Sequence, residues 1–380
     1  MMNTLLLRLS SWTLVALTLV TLTLVTLTLV TLTLVTGVCG QQDDAAKNER
    51  KAERKSARKL NSKIENSIAA GLSWLAAQQL PDGSWNYAKL VAGQDGAGES
   101  VDAGNAATGM ALLCFAKAGQ THVEGEYKQV VAKGTKYLLS KMKTDGSFHE
   151  PRGSMYSHGI AAQAIITLFK LTEDKTLQKP AQSALDFIAY AQDPVEGGWR
   201  YSPKQPGDTS VSCWQIQALV VGKNVGLKVS DETVGGATKF LDAVQSEKGV
   251  YYGYTTPGRG MATSAQGLLC RIQLGWDPAD DRVKTGVAAL SKQGPSQGNH
   301  YYNLFATQLL QKHGGKAWQA WQAWRSEIVA QLIADQQKEK ATAGSWLVTK
   351  GGHGVQRGGR LYCTAMALMV LETAIEKKVE

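Results

Sequence analysis

Three side chains that can transfer protons stand near the beginnings of apolar, helix-like segments of this chain. They are Asp208, His158 and Tyr362. Carboxyl, imidazole and phenol groups are the usual general acids and bases of enzymes. If the segments that carry them begin at the same end of one bundle, the three side chains face a common cavity. We therefore interpret them as the candidate catalytic residues.

The same segment starts carry acidic, hydroxyl, aromatic and basic side chains that could contact a ligand. These candidates for the cavity wall are Asp102, Tyr156, Ser210, Trp214, Thr263, Tyr301 and Arg360. Converging helix N-termini favour anions, and Tyr and Trp rings line apolar ligand sites. A structural alternative stays open, because Asp and Ser also cap helices and a histidine can bond a neighbouring loop.

A repeated unit positions these side chains, and we find six copies of it in the 380 residues. Each copy is about fifty residues long and contains an amphipathic segment, a loop with glycine and an aromatic residue, and a more apolar segment. The first loop is Asp82–Trp85, and the best-preserved loop and helix start span Gly197–Gln215.

The two segments of each unit predict two layers of helices. The first has one apolar stripe, as Leu72 and Leu75 show, so its other side can face solvent. The second carries Met110, Leu113 and Cys114 with few charges, so it must be covered nearly all round. Hairpins arranged in a ring bury the second helices and leave no exposed end repeat. The sequence therefore predicts an all-α fold, an (α/α)6 toroid of six helical hairpins with inner and outer helix rings, over residues 64–380.

The pattern Trp74-Leu75-x-x-Gln78-x(4)-Gly83-x-Trp85 resembles the QW repeat of squalene cyclases and prenyltransferase β subunits. Versions of it recur over residues 64–376. The resemblance implies that the Gln amide bonds free backbone groups at a helix end while the Trp packs as a plug. It implies a fold rather than a reaction, because this scaffold hosts cyclases, prenyltransferases, lyases and non-catalytic domains.

The stretch from Asp208 to Gln215 is similar to the prenyltransferase helix that supplies an Asp and a Cys to a catalytic zinc. Asp208 matches the zinc Asp, but Ser210 stands where the Cys is expected and Cys363 where the zinc His is expected. Cys363 belongs to the sixth unit, and opposite helices of a six-membered ring are roughly 20 Å apart. Zinc bonds are about 2.0–2.3 Å long. We therefore expect no cofactor and no metal. A zinc ion remains the alternative.

The acid motif of oxidosqualene cyclases is also incomplete in this chain. The stretch Tyr362–Met366 resembles its Asp-Cys-Thr-Ala-Glu sequence with both carboxylates absent. Protonation of an alkene needs a hydrogen-bonded carboxylic acid in a dry cavity. The resemblance therefore implies the scaffold without the acid of that family.

The N-terminal region differs in composition from the repeats. Residues 1–40 carry no charge between Arg8 and their end, so we predict an export signal or a membrane anchor and an exported protein, periplasmic, secreted or membrane-anchored. Residues 41–63 form a charged linker with eight basic and four acidic side chains. Such a linker could rest on an anionic membrane surface. No aromatic residue interleaves with its charges, which argues against a nucleic-acid partner.

Two classes of function follow. In the first, the toroid is a non-catalytic binding or interaction module whose central apolar cavity holds an apolar or isoprenoid small molecule, a peptide or a glycan. The missing zinc and acid residues favour this interpretation. In the alternative, the protein is an enzyme that acts on a lipid, isoprenoid or polysaccharide substrate with Asp208 as its acid–base group.

Overall fold

The computed structural model describes residue 55 and residues 58–91, 95–100, 103–151, 154–314, 319–348 and 352–375. The chain divides into two compact units, Met1–Ser62 and Lys63–Glu380. The predicted signal or anchor over residues 1–40 and most of the predicted linker lie outside the described residues. Among the described helices, none combines the length and hydropathy that crossing a membrane requires.

The described residues form twelve α-helices, joined by loops, with one short β-hairpin. The helices are α1 (58–77), α2 (Gly104–Lys117), α3 (Lys128–Lys141), α4 (Ser154–Thr172), α5 (Lys175–Ala191), α6 (Thr209–Asn224), α7 (Asp231–Val244), α8 (Met261–Gln273), α9 (Asp281–Gln293), α10 (His300–Gly314), α11 (Gln319–Asp335) and α12 (Val355–Ala374). The hairpin pairs β1 (Gln245–Ser246) with β2 (Tyr251–Tyr252) in antiparallel fashion around a single 3-10 turn (Glu247–Gly249).

The even-numbered helices form a closed inner ring. Each of them packs on the next, from α2 to α12, and α12 packs back on α2. The odd-numbered helices α3 to α11 pack on inner helices: α3 on α2, α5 on α4 and α6, α7 on α6, α9 on α8 and α10, and α11 on α10 and α12. Small residues permit the close inner contacts: a Cβ on Gly109 of α2 would lie 2.9 Å from the Cα of Ala161 in α4. The predicted all-α toroid with inner and outer helices is confirmed.

An aromatic plug joins each outer helix to the following inner helix in five of the loops. The plugs are fully or almost fully buried, at 0–1% exposure, and are Trp85, Phe148, Trp199, Tyr252 and Trp346. The Trp85, Trp199 and Trp346 indoles donate to carbonyls of the preceding outer helix, over distances of 2.7, 2.8 and 2.7 Å. Each of these three indoles therefore donates to a carbonyl in the last turn of the preceding outer helix, where carbonyls lack an i+4 partner inside the helix.

The backbone N–H of each plug donates to a side chain one turn inside the following inner helix. The acceptors, at 2.9–3.1 Å, are Thr108, His158, Ser212, Ser264 and Thr364. These five residues therefore occupy one structural position of the repeat, and that position fixes the register between the loop and the inner helix.

The glutamine of the repeat bridges neighbouring units. Gln192 Nε2 donates to the Gly197 carbonyl of its own loop at 2.6 Å and to the Thr233 carbonyl of the next outer helix at 2.9 Å. In the first unit Gln79, not Gln78, makes the same pair of bonds. The motif-based expectation for Gln78 is wrong by one residue, since the Gln78 Oε1 instead accepts from the Val91 N–H at 3.0 Å.

The last loop closes the ring on the first helix. Gln336 Nε2 donates to the Gly344 carbonyl and to the Ser67 carbonyl of α1, both at 2.9 Å. Gly344 adopts φ 89°, and a Cβ there would lie 2.2 Å from the Ala70 carbonyl oxygen. We call these contacts between α1 and the loop after α11 the seam. The seam repeats the bonds that join consecutive units inside the chain.

Candidate functional site

A second repeat position supplies side chains to the end of the toroid at which the inner helices begin, which we call the mouth. Two residues after four of the plugs stand Tyr87, Glu150, Tyr201 and Tyr254. Side chains two residues apart point the same way in an extended loop. The residue two positions after a buried plug therefore points in a direction similar to that of the plug. Sequence reasoning missed all four, although their constant spacing from the plugs was readable.

The densest group of polar side chains at the mouth is the mouth cluster, defined as Tyr156, Arg200, Tyr201, Asp208 and Tyr254. Asp208 lies at its centre and is fully buried. Its Oδ1 accepts from the Val211 N–H at 2.8 Å and so caps α6. Its Oδ2 accepts from the Tyr254 hydroxyl at 3.1 Å. One carboxylate therefore caps α6 with one oxygen and contacts the mouth cluster with the other.

A line of hydroxyl groups connects Asp208 to solvent. The Tyr254 and Tyr201 hydroxyl oxygens are 2.6 Å apart, and the two residues are 38% and 42% exposed. Because Tyr254 donates to Asp208, its oxygen is free to accept from Tyr201. If Asp208 is protonated, all the donations can reverse. The line can therefore carry a proton in either direction between the buried carboxyl group and the surface.

Arg200 holds the two tyrosine rings and the carboxylate together. Its guanidinium carbon lies 5.3 Å from the Tyr201 ring centre and 5.8 Å from that of Tyr254. Its Nε is 3.8 Å from Asp208 Oδ2. These are cation–π and charge contacts rather than hydrogen bonds, and the buried Nε has no hydrogen-bond partner. The guanidinium is therefore positioned beside the mouth without being fully used by the protein.

Burial sets the protonation of this cluster. Burial raises the pKa of Asp208 above its ordinary value, against the opposing effects of the Val211 N–H, the Tyr254 hydroxyl and Arg200. Burial, together with the neighbouring Tyr201 and Asp208, holds the pKa of Tyr254 far above that of a free tyrosine. Tyr254 is therefore a proton donor at neutral pH. Strongly perturbed groups that share one cleft are a mark of functional sites.

Two units cooperate to place Tyr254 against Asp208. Thr209 N–H donates to the Tyr254 carbonyl at 2.9 Å, and Thr209 Oγ1 donates to the Gly253 carbonyl at 2.6 Å. These bonds staple the loop after β2 to the first residue of α6. The Asp208 N–H donates to the Trp199 carbonyl at 2.9 Å, which anchors the other side. The geometry of the cluster is thus set by backbone bonds rather than by the tyrosine side chains.

Aromatic side chains occupy the axis of the toroid beneath the mouth. Trp214 Nε1 donates to the Tyr301 hydroxyl at 3.1 Å, and both rings pack edge-on against Phe305, at 5.7 and 4.9 Å between centres. Trp214, Tyr301 and Tyr362 are only 2%, 5% and 8% exposed. Ser210 joins this layer through Gln266, whose amide nitrogen donates to the Tyr301 hydroxyl at 2.9 Å. The predicted cavity-wall residues Trp214, Tyr301 and Ser210 are therefore brought together, but as packed neighbours.

Tyr156, a member of the mouth cluster, and its neighbour Tyr362 connect the cluster to this axial layer. Burial raises the pKa of both hydroxyl groups. The Tyr156 hydroxyl interacts electrostatically with Tyr301, Asp208 and Tyr254, and also with that of Tyr362. Tyr362 is thus near the site through Tyr156, while Tyr156 borders Asp208 itself.

His158 does not face the cavity, contrary to the expectation from sequence. Its Nδ1 accepts from the Phe148 N–H and its Nε2 donates to the Ala184 carbonyl of α5, both at 3.1 Å. The ring is fully buried, and burial lowers its pKa to about 3. It occupies the repeat position that holds Ser212 in the third unit. Both nitrogens are committed to backbone, so the side chain fixes a loop and is not available to Asp208.

Replacement of His158 by Asn is expected to flatten the acid dependence of stability. The folded pKa of about 3 lies below the ordinary value of 6.5, so stability is full above pH 6.5 and falls as the unfolded chain takes up a proton. The fall is about 1.4 kcal/mol per pH unit. Urea denaturation at pH 7 and pH 5 should show a wild-type loss about 2 kcal/mol larger than that of the variant.

His300 remains in that variant and, with its pKa lowered to about 4 by burial, contributes its own acid dependence. The comparison therefore concerns the difference between the two proteins and not the absolute slope. Equal losses in the two proteins would show that His158 accepts a proton in the folded state.

The other candidates serve the loops. Thr263 Oγ1 donates to the Tyr252 carbonyl at 2.6 Å. Arg360 is 3% exposed; its Nε donates to the Asp95 carbonyl at 3.1 Å, and Nη2 pairs with the Asp95 carboxylate. Its guanidinium is therefore occupied and does not present a free anion site. Asp102 lies outside the described residues. Within the described ranges, no three His, Cys, Asp or Glu side chains are grouped as a metal site would require.

Glu150 adds a second carboxylate to the mouth. Its Oε1 accepts from the N–H groups of Asn105 and Ala106, at 2.9 and 3.4 Å, and so caps α2 from the neighbouring unit. Burial raises its pKa, and its charge acts on the Tyr87 hydroxyl. Glu150 is half-buried. Asp208 and Glu150 thus have three features in common: each caps an inner helix, each has a raised pKa, and each has a tyrosine neighbour.

Comparison with known proteins places the architecture among solved enzymes. No protein-family model matches the chain, and no curated protein matches it. The type II terpene cyclase MstE from Scytonema superposes with a TM-score of 0.57 at 14% identity, over 83% of this chain and 98% of the cyclase. The α-1,6-mannanase of a Salegentibacter species gives 0.58 at 8% identity, over 83% and 98%. The chain is an α/α toroid.

A third solved structure extends the comparison to another glycan-active protein. An α-amylase from Clostridium perfringens gives a TM-score of 0.56 at 12% identity, over 81% of this chain and 97% of the amylase. The cyclase is also solved with geranylgeranyl dihydroxybenzoate, its substrate, and the mannanase with α-1,6-mannotriose. The toroid resembles enzymes of both kinds in fold, across nearly their whole length.

Proposed function

We propose that this toroid is an enzyme that cleaves a glycan at its mouth, with Tyr254 as the residue that touches the substrate. The observation that supports this most directly is the hydrogen bond from the half-exposed Tyr254 hydroxyl to the buried Asp208 carboxylate. A proton-transfer group must combine contact with substrate and a reservoir of suitable pKa. Tyr254 provides the contact and Asp208 the reservoir.

The character of the mouth favours a glycan over an isoprenoid. A polyene needs a dry apolar cavity, whereas the axis beneath the mouth holds Trp214, Tyr301 and Phe305 in mutual contact. The accessible rings are instead those of Tyr201 and Tyr254, which carry polar tips. Aromatic faces with a hydroxyl at one end suit a ligand with both apolar faces and polar edges, as a sugar ring has. The mannanase and the amylase share this fold, but so does the cyclase, so the choice of a glycan rests on the side chains of the mouth.

In the proposed reaction, protonated Asp208 gives its proton to Tyr254 as Tyr254 gives its own to the glycosidic oxygen. The bond between that oxygen and the anomeric carbon breaks, the leaving sugar departs as an alcohol, and the oxygen of a water molecule bonds to the anomeric carbon. Hydrolysis also needs a group that accepts the proton of the attacking water, commonly a second carboxylate. Glu150 is the candidate for that role. A carboxyl group of ordinary pKa is ionised at neutral pH and holds no proton to give. The raised pKa of Asp208 is therefore in the direction that a proton reservoir requires.

A panel of neutral polysaccharides tests the proposal. We expect the purified chain to release new reducing ends from at least one of mannan, starch, cellulose and xylan. The rate should fall as the pH rises through the raised pKa of Asp208, because the reservoir then loses its proton. Release of products by none of these polymers, with geranylgeranyl-bearing phenols consumed instead, would replace the glycan by an isoprenoid substrate.

Glycan binding without cleavage is the second candidate, and the complete burial of Asp208 favours it. In this alternative Asp208 serves only to cap α6, and its contact with Tyr254 transfers no proton to a substrate. In that case affinity electrophoresis would detect polysaccharide binding, no reducing ends would appear, and replacement of Tyr254 would change binding alone.

A further inference from the structure

A separate cavity of about 680 Å³ lies between the fifth and sixth units. It opens between the loop that precedes α10 and the loop that follows α11. We call it the α10–α11 cavity, and six of its lining residues carry side chains that can bond a ligand: Gln297, His300, Asp335, Gln337, Lys338 and Glu339. Its volume falls within the range of about 300–1,000 Å³ typical of small-molecule sites.

His300 is the unusual member of this cavity. It is 3% exposed, and its Nδ1 is buried without a hydrogen-bond partner. His158, equally buried, has both nitrogens bonded to backbone groups. A buried polar group left unsatisfied costs about 1–3 kcal/mol, and such exceptions call for a functional explanation. The sequence repeat does not require His300 either, because Asn303 holds the loop of this unit by accepting from the Ser296 N–H at 2.8 Å.

The charged side chains around His300 are also uncommitted. In the described part of the chain, the carboxylates of Asp335 and Glu339 and the ammonium group of Lys338 form no ion pair and no hydrogen bond with protein. Partial desolvation of its carboxyl group raises the pKa of Asp335, although the residue as a whole is exposed. His300 is neutral at physiological pH, because burial lowers its pKa to about 4. The cavity lining therefore combines two carboxylates that accept hydrogen bonds, an ammonium group that donates them, and a neutral imidazole.

This mixture restricts the chemistry of a ligand. A phosphate or carboxylate would be repelled by Asp335 and Glu339, and an amine by Lys338. An apolar ligand would leave all these groups desolvated and unpaired. A neutral molecule rich in hydroxyl groups fits best, because each hydroxyl both donates and accepts.

We propose that the α10–α11 cavity is a second glycan-binding site that holds a neutral sugar unit outside the mouth. This inference rests on the proposed function for its choice of ligand. His300 and Tyr301 are consecutive at the start of α10, yet Tyr301 belongs to the axial layer while His300 lines the outer cavity. The cavity is therefore beside the mouth but separated from it by the first turn of α10. Its role is to retain polymer, and not to take part in bond cleavage.

Calorimetric titration of the purified full chain with maltotriose, cellotriose and α-1,6-mannotriose tests this site. At least one trisaccharide should bind, and Asp335→Ala should weaken that binding about tenfold. Asp335 is exposed, so this variant is expected to fold, and His300→Ala provides a second test. Asp231→Ala is the matched control, because that side chain is 99% exposed and its contact with the Lys223 ammonium group is long, at 3.9 Å. This variant should bind the trisaccharide as the wild type does.

The outcomes separate this site from the proposed enzyme function. Tyr254→Phe should leave binding in the α10–α11 cavity unchanged while it slows cleavage about 10²–10⁴-fold, and Asp335→Ala should preserve the cleavage rate at saturating substrate. Trisaccharide binding that is unaffected by both Asp335→Ala and His300→Ala, absent altogether, or competed by inorganic phosphate or propylamine would overturn the second site. A cleavage rate for Tyr254→Phe equal to that of the wild type would overturn the proposed function alone.

Discussion

The Tyr254→Phe variant is expected to cleave glycan about 10²–10⁴-fold more slowly than the wild type, the range typical for loss of a general acid. The substitution removes the hydroxyl oxygen that links buried Asp208 to the exposed Tyr201. The phenyl ring keeps its packing, and the backbone is held by the bonds of Thr209, so the fold should persist. The loss should appear in kcat, measured from reducing ends at saturating polysaccharide.

A matched tyrosine provides the control for this variant. Tyr190 is 60% exposed, its ring contacts Phe187 and the ammonium group of Lys204, and its hydroxyl has no hydrogen-bond partner among the described residues. Tyr190→Phe should therefore cleave at the wild-type rate. Equal rates for Tyr254→Phe and Tyr190→Phe would exclude Tyr254 as the proton donor.

Asp208→Asn should reach the same low rate while it preserves the fold. Asparagine caps helices as well as aspartate does, so the bond from the Val211 N–H can be kept, but an amide does not supply the proton. Because the two residues act in one relay, the double variant should be no slower than either single variant. Additive losses would mean that Asp208 and Tyr254 act independently.

Gly344→Ala is expected to lower the free energy of unfolding by about 4 kcal/mol or more, the exceptional range for one substitution. Gly344 has φ 89°, and the new Cβ would lie 2.2 Å from the Ala70 carbonyl oxygen and 2.6 Å from its carbon. Those atoms belong to the backbone of α1 and cannot turn away. The seam must therefore open, and the two bonds of Gln336 weaken with it.

Gly226→Ala isolates the contribution of the backbone conformation. Gly226 has φ 78°, but a Cβ there would meet nothing within 4 Å. This variant should lose only about 1–2 kcal/mol, the value for an L-residue in a left-handed conformation. Urea denaturation of both variants measures the difference. Equal losses would show that the seam can shift to admit a methyl group.

The repeat pattern was sufficient to predict the architecture. One-sided apolar stripes, as at Leu72 and Leu75, and the nearly uncharged run around Met110 correspond to helices of the outer and inner rings. The role of the glutamine was predictable only in part: it bonds backbone carbonyls, but those of Gln192 are a loop carbonyl and one in the first turn of the next outer helix, not free groups at a helix end. Its position in the first unit was not predictable, because Gln78 and Gln79 are adjacent and either could end α1.

The site was less predictable, and for physical reasons. His158 has the chemistry of a catalytic base, yet it stands where Ser212 stands in the third unit, so the alignment of units identifies it as a loop acceptor. Tyr201 and Tyr254 lie in loops without periodicity and can be found only by counting from the plugs. No sequence pattern shows that Asp208 lies within reach of Tyr254, because that contact depends on how two units stack.

The seam has a consequence for how the chain order relates to the fold. Since Gln336 meets α1 as Gln192 meets α7, the break in the chain is not a break in the ring. A circularly permuted protein, with the end of α12 linked to the start of α1 and new termini at the open turn around Gly226, would keep every bridge between units. Evolution could therefore rotate the order of the units without changing the mouth.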